Sequence, residues 1–346
     1  MINQIIITIL ILSTIQLLHA QSSNSVTIKN DASKQKVTIN IGGKLFTEFC
    51  YPDSLEKPFL YPIIASNGTT ITRGFPLAPR ANDATDHPHH IGLWMNYESV
   101  NGLDFWNNSY AITPENKVKY GWIRTRKITE TKSGKEGLLS YEADWHNQSK
   151  QVLMQEKTSF HISVAKNQRI IDRVTVFTAV QDVQFADVKD GFLGLRVAHE
   201  LELPIAVTKQ YKDDKGIVTT VKANKDSTTT GNYITSAGAT GDKAWGTRGT
   251  WCMLYGKMGK DTISIAIIDH PQNPGYPTYW HARNYGLFAA NPLGQKVFSN
   301  GKETLNLKLE KGKSISFKYR IIIAADNTRL SEKEIAASMQ TFQEIK

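Results

Sequence analysis

Apolar and polar residues alternate in three stretches of the chain, each interrupted by a short polar turn. The stretches are SVTIKNDASKQKVTINIGG, TSFHISVAKNQRIIDRVTVFTAV with a turn at residues 165–168, and ETLNLKLEKGKSISFKYRIIIAA with a turn at residues 310–313. Such alternation is typical of paired strands with one buried face. No βαβ rhythm and no glycine-rich phosphate loop occurs in the sequence. The pattern predicts an all-β fold, a large antiparallel β-sandwich.

One segment shows helical spacing instead. In SEKEIAASMQTFQEI, Ser331 and Glu334 have the spacing of a capping box, and Ile335, Met339 and Phe342 recur at helical intervals. We therefore expect a C-terminal helix that packs on a sheet. The polar segment 210–249 indicates long loops or an exposed hairpin. Because no linker divides the chain, we expect residues 21–346 to form a single domain.

The apolar run MINQIIITILILSTIQLLHA indicates a signal peptide over residues 1–20, with an uncleaved membrane anchor as the alternative. No later segment approaches the ~20 apolar residues of a membrane span. We expect a periplasmic or secreted protein. Export would permit a disulfide between Cys50 and Cys252, and two free thiols are equally compatible with the sequence.

The net charge and its distribution indicate which classes of partner to expect. Lys and Arg exceed Asp and Glu by 41 to 32, which gives a formal charge of +9. The basic residues are scattered along the chain rather than clustered, which is typical of a solvated surface. We therefore expect a carbohydrate or another small molecule as ligand, and no nucleic acid.

Two dense segments carry the candidate chemistry. The first, DHPHHIGLWMNYESVNGLDFWNN, places three of the nine histidines within four residues at Asp86–Asn108. The second, DHPQNPGYPTYWHARNYGLFAANPLG, repeats Asp-His-Pro at Asp269–Gly294. Both are rich in Pro, Gly and Asn, so they are predicted to be loops at strand ends. GLRVAHELELP, with His199 at a predicted strand edge, lies between them.

Histidines with neighbouring carboxylates suit proton transfer on a sugar near neutral pH. Under this hypothesis the protein is a hydrolase, lyase or epimerase, and we expect its histidines to share one cleft. The predicted catalytic residues are His87, His90, His199, His281 and Arg283. The predicted orienting residues are Asp86, Asp269 and His270. The predicted substrate-binding residues are Arg73, Trp94, Asp104, Trp106, Tyr285 and Asn291, with the two tryptophans as a stacking wall.

Two other interpretations remain open. His87, His89 and His90 could instead hold a divalent metal, since neutral imidazole is a common ligand of such ions. Alternatively, each Asp-His-Pro could be a structural turn. The alternative function is a non-catalytic glycan-binding or envelope protein, in which the histidines would be buried and hydrogen-bonded and the aromatic residues would form an open, flat platform.

The segments FTEFCYPDSLEKPFLYPI, TRGFPL, DHPHHIGLW, NGLDFWN and DHPQNPGYPTYWHARNYGLFAANPLG together resemble the PmoA-like family of secreted bacterial proteins, labelled methane oxygenase. The resemblance runs from about Val37 to Ala325 and implies an exported bacterial protein. Its label adds a third hypothesis, a copper or iron oxygenase. The all-β pattern is also similar to the galactose-mutarotase type of supersandwich, a fold of epimerases, lyases and glycosidase domains.

Overall fold

The computed structural model describes residues 24–204, 208–212, 218–221 and 228–345. The predicted signal peptide lies outside these residues and stays a prediction. The strands, in chain order, are β1 (Val26–Asp31), β2 (Lys36–Ile41), β3 (Lys44–Cys50), β4 (Phe59–Ile63), β5 (Leu93–Tyr97), β6 (Gly121–Lys132), β7 (Gly137–Asn147), β8 (Val152–Ala165), β9 (Gln168–Ala179), β10 (Val183–Gln184), β11 (Gly191–Arg196), β12 (Lys209–Lys212), β13 (Val218–Val221), β14 (Asn232–Thr235), β15 (Trp251–Met258), β16 (Asp261–Asp269), β17 (Tyr279–Ala282), β18 (Leu287–Asn291), β19 (Lys308–Leu309) and β20 (Ser314–Asp326).

Helices are short and few among these residues. The α-helices are α1 (Gln295–Phe298) and α2 (Glu332–Gln343). Single 3-10 turns lie at Ala32–Lys34, Pro114–Lys119, His199–Leu201 and Gly241–Ala244. Neither α-helix of the described ranges is long and apolar enough to span a bilayer.

Two eight-stranded antiparallel sheets form the sandwich. The first has the order β1-β2-β3-β4-β5-β11-β18-β17, and the second has the order β14-β15-β16-β20-β9-β8-β7-β6. The main apolar core lies between them, because alternate residues of each strand face inward. On β5, for example, Leu93, Met95 and Tyr97 belong to this core, whereas Trp94 belongs to a cluster on the other face of the sheet.

The predicted sandwich is confirmed, and so are two of the three predicted hairpins. β1 pairs with β2 and β8 pairs with β9 around the expected turns. The third prediction is wrong, because β19 pairs with β10 and β20 lies between β16 and β9. β12 and β13 form the expected hairpin within the polar segment, part of which lies outside the described residues.

The predicted C-terminal helix is confirmed as α2, with Ser331 as its N-cap and a complete capping box to Glu334. Ile335 and Phe342 are buried in a second apolar cluster with residues of β15, β16 and β20. The helix therefore covers part of the outer face of the second sheet. Cys50 and Cys252 are free thiols, so the disulfide that export would permit is not formed.

Candidate functional site

A cluster of histidines, arginines and carboxylates lies on the outer face of the first sheet, over β5, β11, β17 and β18. Its base consists of Trp94 and Trp106, whose ring centroids are 5.1 Å apart. A Cβ at Gly194 would come within 2.6 Å of the Trp94 ring and 2.8 Å of the Trp106 ring. The absence of a side chain on β11 therefore lets both indoles lie close to the sheet.

Arg73 builds the loop that carries the histidines. Its guanidinium donates to the backbone carbonyls of Ala84, Asp86, His87 and His90 at 2.8–3.0 Å, and to Oδ1 of Asp86 at 2.8 Å. The side chain is only 1% exposed. The two amino groups of Arg73 thus fix the loop, and its predicted contact with substrate stays a prediction.

Asp86 is held between two arginines. Its Oδ1 accepts from Arg73 and from Arg196, each at 2.8 Å, and its Oδ2 lies 2.6 Å from Nδ1 of His87. Burial would raise the pKa of Asp86, but the charge of Arg196, the His87 contact and the charge of Arg73 hold it well below its usual range. Asp86 is thus an ionised carboxylate at neutral pH and can only accept hydrogen bonds.

His87 is therefore a neutral imidazole in one tautomer. Burial lowers its pKa, and this outweighs the opposite effect of Asp86. Because Asp86 only accepts, Nδ1 carries the proton and Nε2 keeps a lone pair. The ring stacks on Tyr285 at 5.1 Å and on His90 at 4.7 Å, and the backbone φ of 43° is in the left-handed region. Such backbone conformations are concentrated at functional sites.

His90 lies beneath His87 with the opposite tautomer. Its Nδ1 is 3.2 Å from an Arg196 amino group, which only donates, so Nδ1 accepts and Nε2 carries the proton. That buried Nε2 has no partner among the described residues. The ring stacks on Trp94 at 5.3 Å and contacts Trp106 edge-on at 5.7 Å. The two indoles are 0% and 1% exposed, so the predicted stacking wall is wrong and they support His90 instead.

A second histidine–carboxylate pair comes from β17 and the residue before β11. Nδ1 of His281 is 3.7 Å from Oδ1 of Asp190, and its other ring nitrogen bonds the backbone of Lys189. Burial raises the pKa of Asp190 to about 7, against the effect of Lys189 and with the help of Glu98 and Asp104. Burial holds His281 neutral with its pKa well below the usual value. Asp190 is therefore partly protonated at neutral pH.

His199 and Arg283 lie at the margin of the cluster. Nδ1 of His199 is 3.4 Å from Glu202, whose carboxylate is 3.9 Å from Arg196. His199 lies in a 3-10 turn, which corrects the predicted strand edge. The Arg283 guanidinium lies over the Tyr285 ring at 5.6 Å. The structure thus brings both predicted residues to the cluster.

The three-histidine metal site is not formed. Within the described residues, no group of three His, Cys, Asp or Glu side chains is arranged to hold a metal ion. The rings of His87 and His90 are parallel to within 1°, and His89 meets His90 edge-on. Ring lone pairs lie in the ring plane, so two parallel stacked rings do not converge on one ion. His87, His89 and His90 lie in a loop before β5, as predicted for this segment.

The second Asp-His-Pro is not part of the cluster. Asp269 accepts from Nδ2 of Asn273 at 2.7 Å and from the backbone N–H of Thr278 at 2.8 Å. His270 packs edge-on against Phe342 of α2 at 5.1 Å. These contacts hold both residues at the second sheet, so their predicted orienting function and the shared cleft of all six histidines are wrong.

Two predicted substrate-binding residues make hydrogen bonds that fix nearby turns and loops. Asp104 accepts from the backbone and side-chain amides of Asn107, both at 2.9 Å, which closes a turn. Asn291 is fully buried and donates to the carbonyls of Val188 and Lys189 at 3.0 and 2.9 Å. Their predicted contact with substrate stays a prediction.

A family model matches residues 36–340. The chain belongs to DUF6807, a family of unknown function. The resemblance to the PmoA-like family is thereby corrected, and the oxygenase hypothesis loses its support. No curated protein sequence matches the chain.

Solved structures match this DUF6807 chain at low similarity. The galactosidase domain of an α-galactosidase–sucrose kinase has a TM-score of 0.41 and 9% identity, covering 87% of this chain and 42% of that chain. A galactose mutarotase-like protein from Clostridium acetobutylicum has a TM-score of 0.36 and 10% identity, covering 88% and 98%. A galactose mutarotase related enzyme from Lactobacillus acidophilus has a TM-score of 0.32 and 8% identity, covering 88% and 99%. At these values the likenesses say nothing about the chemistry of the DUF6807 chain.

Three residues of the site were missed by sequence reasoning. Arg196 lies on β11, two residues after Gly194, and a charged residue in a buried strand was the available signal. Lys57 donates to the His89 carbonyl at 2.6 Å, and burial lowers its pKa to about 8. Asp190 precedes β11 in an ordinary polar turn, and nothing in its sequence context marks it.

Proposed function

We propose that this DUF6807 protein is a carbohydrate-active enzyme in which His87 removes a proton and Asp190 delivers one. Hydrolysis, elimination and epimerisation of a sugar each require both transfers. The observation that carries the proposal is that His87 is paired with the carboxylate of Asp86 and that Asp190 is paired with the neutral ring of His281. Asp86 fixes the proton of His87 on Nδ1, and the neutral ring of His281 faces Asp190.

The base is supported by its charge state. His87 is neutral at pH 7, and its Nε2 lone pair is not used by Asp86. Protonation at Nε2 would create an imidazolium next to the Asp86 carboxylate, which stabilises the charge that develops in the transition state. The two arginines keep Asp86 ionised, so the stabilising charge is permanent.

The acid is supported by the geometry around Asp190. The nitrogen of His281 that bonds the Lys189 backbone carbonyl carries a proton, so Nδ1 of the neutral ring keeps a lone pair. A lone pair that faces a carboxylate oxygen at 3.7 Å favours a protonated carboxyl group. The two pairs are close enough that a charge on His87 would lower the pKa of His281.

The ligand class follows from unpaired ring nitrogens. Buried Nε2 of His89, Nε2 of His90 and Nδ1 of His281 have no hydrogen-bond partner within the described ranges. Nε2 of His90 donates, and the oxygen of a hydroxyl group can accept from it, whereas the Nδ1 lone pair of His281 faces Asp190. A polyhydroxylated ligand such as a sugar would satisfy them, whereas leaving them unpaired costs about 1–3 kcal/mol each.

The non-catalytic alternative predicts an open aromatic platform and hydrogen-bonded histidines. Trp94 and Trp106 are buried, and the three histidine nitrogens named above are unpaired. Both observations favour catalysis over binding alone. Export to the periplasm or medium is part of the proposal and rests on the apolar run of residues 1–20.

The first test incubates the protein with a panel of neutral and acidic oligosaccharides. Mass spectrometry detects hydrolysis, ultraviolet absorbance detects the double bond left by elimination, and NMR detects epimerisation. His87→Gln should lose about 10²–10⁴-fold of the turnover. His161→Gln, at an exposed position of β8, is the matched control. Binding without turnover, or full turnover by His87→Gln, would contradict the proposal.

The second test is the pH profile of the active substrate. The base works above the lowered pKa of His87, and the acid works below the pKa of Asp190, which is about 7. The rate should therefore peak on the acid side of neutrality and fall above pH 7. The Asp190→Asn variant should turn the substrate over slowly, and its rate should not show the fall above pH 7 (the alkaline limb of the profile). An unchanged limb would assign the acid to another group.

A further inference from the structure

A groove of about 570 Å³ lies on the outer face of the second sheet, at the end away from α2. Its floor is formed by Trp122 and Arg124 of β6 and by Asp144 and His146 of β7. Trp122 is directly opposite His146, and Arg124 is directly opposite Asp144. We call this space the edge groove and these four residues its floor. Its volume is within the ~300–1,000 Å³ of small-molecule sites.

The walls of the edge groove are fixed by hydrogen bonds. On one side the β3–β4 loop, which contributes Asp53, is attached to β6. The Leu55 carbonyl accepts from Arg124, and the Glu56 carbonyl accepts from the Ile123 N–H at 2.9 Å. On the other side lies the β7–β8 turn, which contributes Lys150. Because both walls are attached to the sheet, the groove exists before any ligand binds.

The floor joins an aromatic half to a polar half. The rings of Trp122 and His146 are parallel to within 11°, with centroids 6.2 Å apart. Nδ1 of His146 is 2.7 Å from the Asn147 carbonyl, so it carries the proton and Nε2 is left to accept. Burial raises the pKa of Asp144, and Arg126 opposes this.

We propose that the edge groove is a second carbohydrate site, which binds one neutral pyranose ring. Neighbouring strands are ~4.8 Å apart and same-face residues ~6.7 Å apart, so four such side chains cover about the area of one pyranose. The C–H face of the sugar packs on the indole of Trp122. Its hydroxyl groups bond Asp144, Arg124 and Nε2 of His146.

The charges of the edge groove favour a neutral sugar over an acidic one. Arg124 and Lys150 line the same space as Asp53 and Asp144. Beside them Arg126 contacts Asp144 at 3.2 Å and Glu142 at 3.0 Å. Lys117, whose ammonium lies over the Trp122 ring, contacts Glu56 at 3.1 Å, so the positive and negative charges stay balanced. The site shares no residue with the histidine cluster, which lies on the other sheet. The proposal therefore stands independently of the proposed reaction, and one experiment can examine both sites separately.

The test uses ¹⁹F NMR of protein labelled with 5-fluorotryptophan, which reports each of the seven tryptophans. Resonances are assigned by single Trp→Phe substitutions. The probes are the methyl glycosides of glucose, galactose, mannose and xylose, and hexasaccharides of the same sugars. At least one probe should shift the Trp122 resonance saturably. Trp251, which belongs to the apolar cluster beneath α2, is the internal control and should not move.

Variants then measure the contributions of the floor. Isothermal titration calorimetry measures affinity here, because Trp122→Ala removes the reporting resonance. Trp122→Ala should weaken binding of the active probe about tenfold or more. Asp144→Asn, which preserves shape, should weaken it about fivefold. The six remaining resonances of Trp122→Ala verify that the variant is folded. His161→Ala, on the neighbouring strand β8, should leave the affinity unchanged.

The outcomes separate the two proposals. Shifts at Trp94 and Trp106, which contact His90, report on the histidine cluster. Shifts only there would overturn the edge groove and leave the proposed enzyme standing. A saturable shift only at Trp122 would support the edge groove alone. No shift of Trp122 with any probe, or an equal shift of Trp251, would overturn it.

Discussion

The tripeptide Asp-His-Pro occurs twice in this chain, and the aspartates of the two copies differ in charge state. At the first, Asp86 contacts Arg73 and Arg196 at 2.8 Å, and positive charge holds its pKa well below the usual range. At the second, Asp269 is fully buried with amide partners, and burial raises its pKa to about 7. The same carboxyl group is thus ionised in one copy and partly protonated in the other at neutral pH.

The two histidines differ in the same way. His87 contacts its aspartate and keeps Nε2 as a potential base. His270 turns away from Asp269, accepts from the Gln272 N–H at 3.1 Å and packs on Phe342. A repeated motif therefore does not predict a repeated function. The charges supplied by other strands decide what each copy can do.

The largest difference between the copies should be in stability at pH 7. Asp86→Asn leaves two buried arginines without their countercharge, and we expect a loss of about 3 kcal/mol of unfolding free energy. Asp269→Asn keeps a neutral group of the same shape and loses about one hydrogen bond, about 1 kcal/mol. Urea denaturation of both variants measures the difference. Equal losses of unfolding free energy in the two variants would mean that Glu202 and the backbone carbonyls stabilise the two arginine charges when the Asp86 carboxylate is removed.

The next difference should be in turnover on the substrate found by the oligosaccharide panel. His87→Gln should lose about 10²-fold or more, because the base is removed. His270→Gln should keep turnover within about twofold, because the ring belongs to the contact with α2. Steady-state kinetics of the two variants measures this. A matching loss in His270→Gln would restore the shared cleft that the sequence predicted.

The copies should also respond to pH with opposite signs. Asp269 has a folded pKa of about 7, above its unfolded value, so its contribution to stability is present at low pH and is lost as pH rises toward 7. Asp86 has a depressed folded pKa, so its contribution is lost only as pH falls below the unfolded value.

Urea denaturation at pH 5 and pH 7 tests this sign. The wild type should lose up to about 1.4 kcal/mol per pH unit relative to Asp269→Asn over this window. Asp190, whose pKa is raised similarly, is present in both proteins and cancels. Parallel pH curves for the two proteins would show that Asp269 is ionised in the folded state at both pH values.

Local patterns in the sequence predicted local structure well. The β1–β2 and β8–β9 hairpins and the capping box of α2 each depend on residues close together in the chain. The third hairpin failed because β19 finds its partner in β10, a pairing that alternation cannot encode.

The site was predicted only in part, for the same reason. The types of residue were visible in the two dense segments. His87 and His90 do stack, and His281 lies near enough for a charge on His87 to lower its pKa. Arg196 reaches Asp86 because β11 pairs with β5, and His281 reaches Asp190 through the β18–β17 edge. The order of the strands in the sheet determines these contacts, and this order cannot be deduced from either dense segment.

The smallest expected effect is a difference in how His270 and His87 respond to a change at the N-cap of α2. Ser331 accepts from the Glu334 N–H at 3.3 Å, and Glu334 accepts from the Ser331 N–H at 2.9 Å. Ser331→Ala should destabilise α2 by about 1 kcal/mol, whereas Ser331→Asp should preserve the cap. Because Phe342 of α2 touches His270, histidine ¹⁵N NMR should show the His270 signals move in Ser331→Ala while the His87 signals stay. Movement of both would mean that the two segments are coupled through the core, and the separation argued from their contacts would fail.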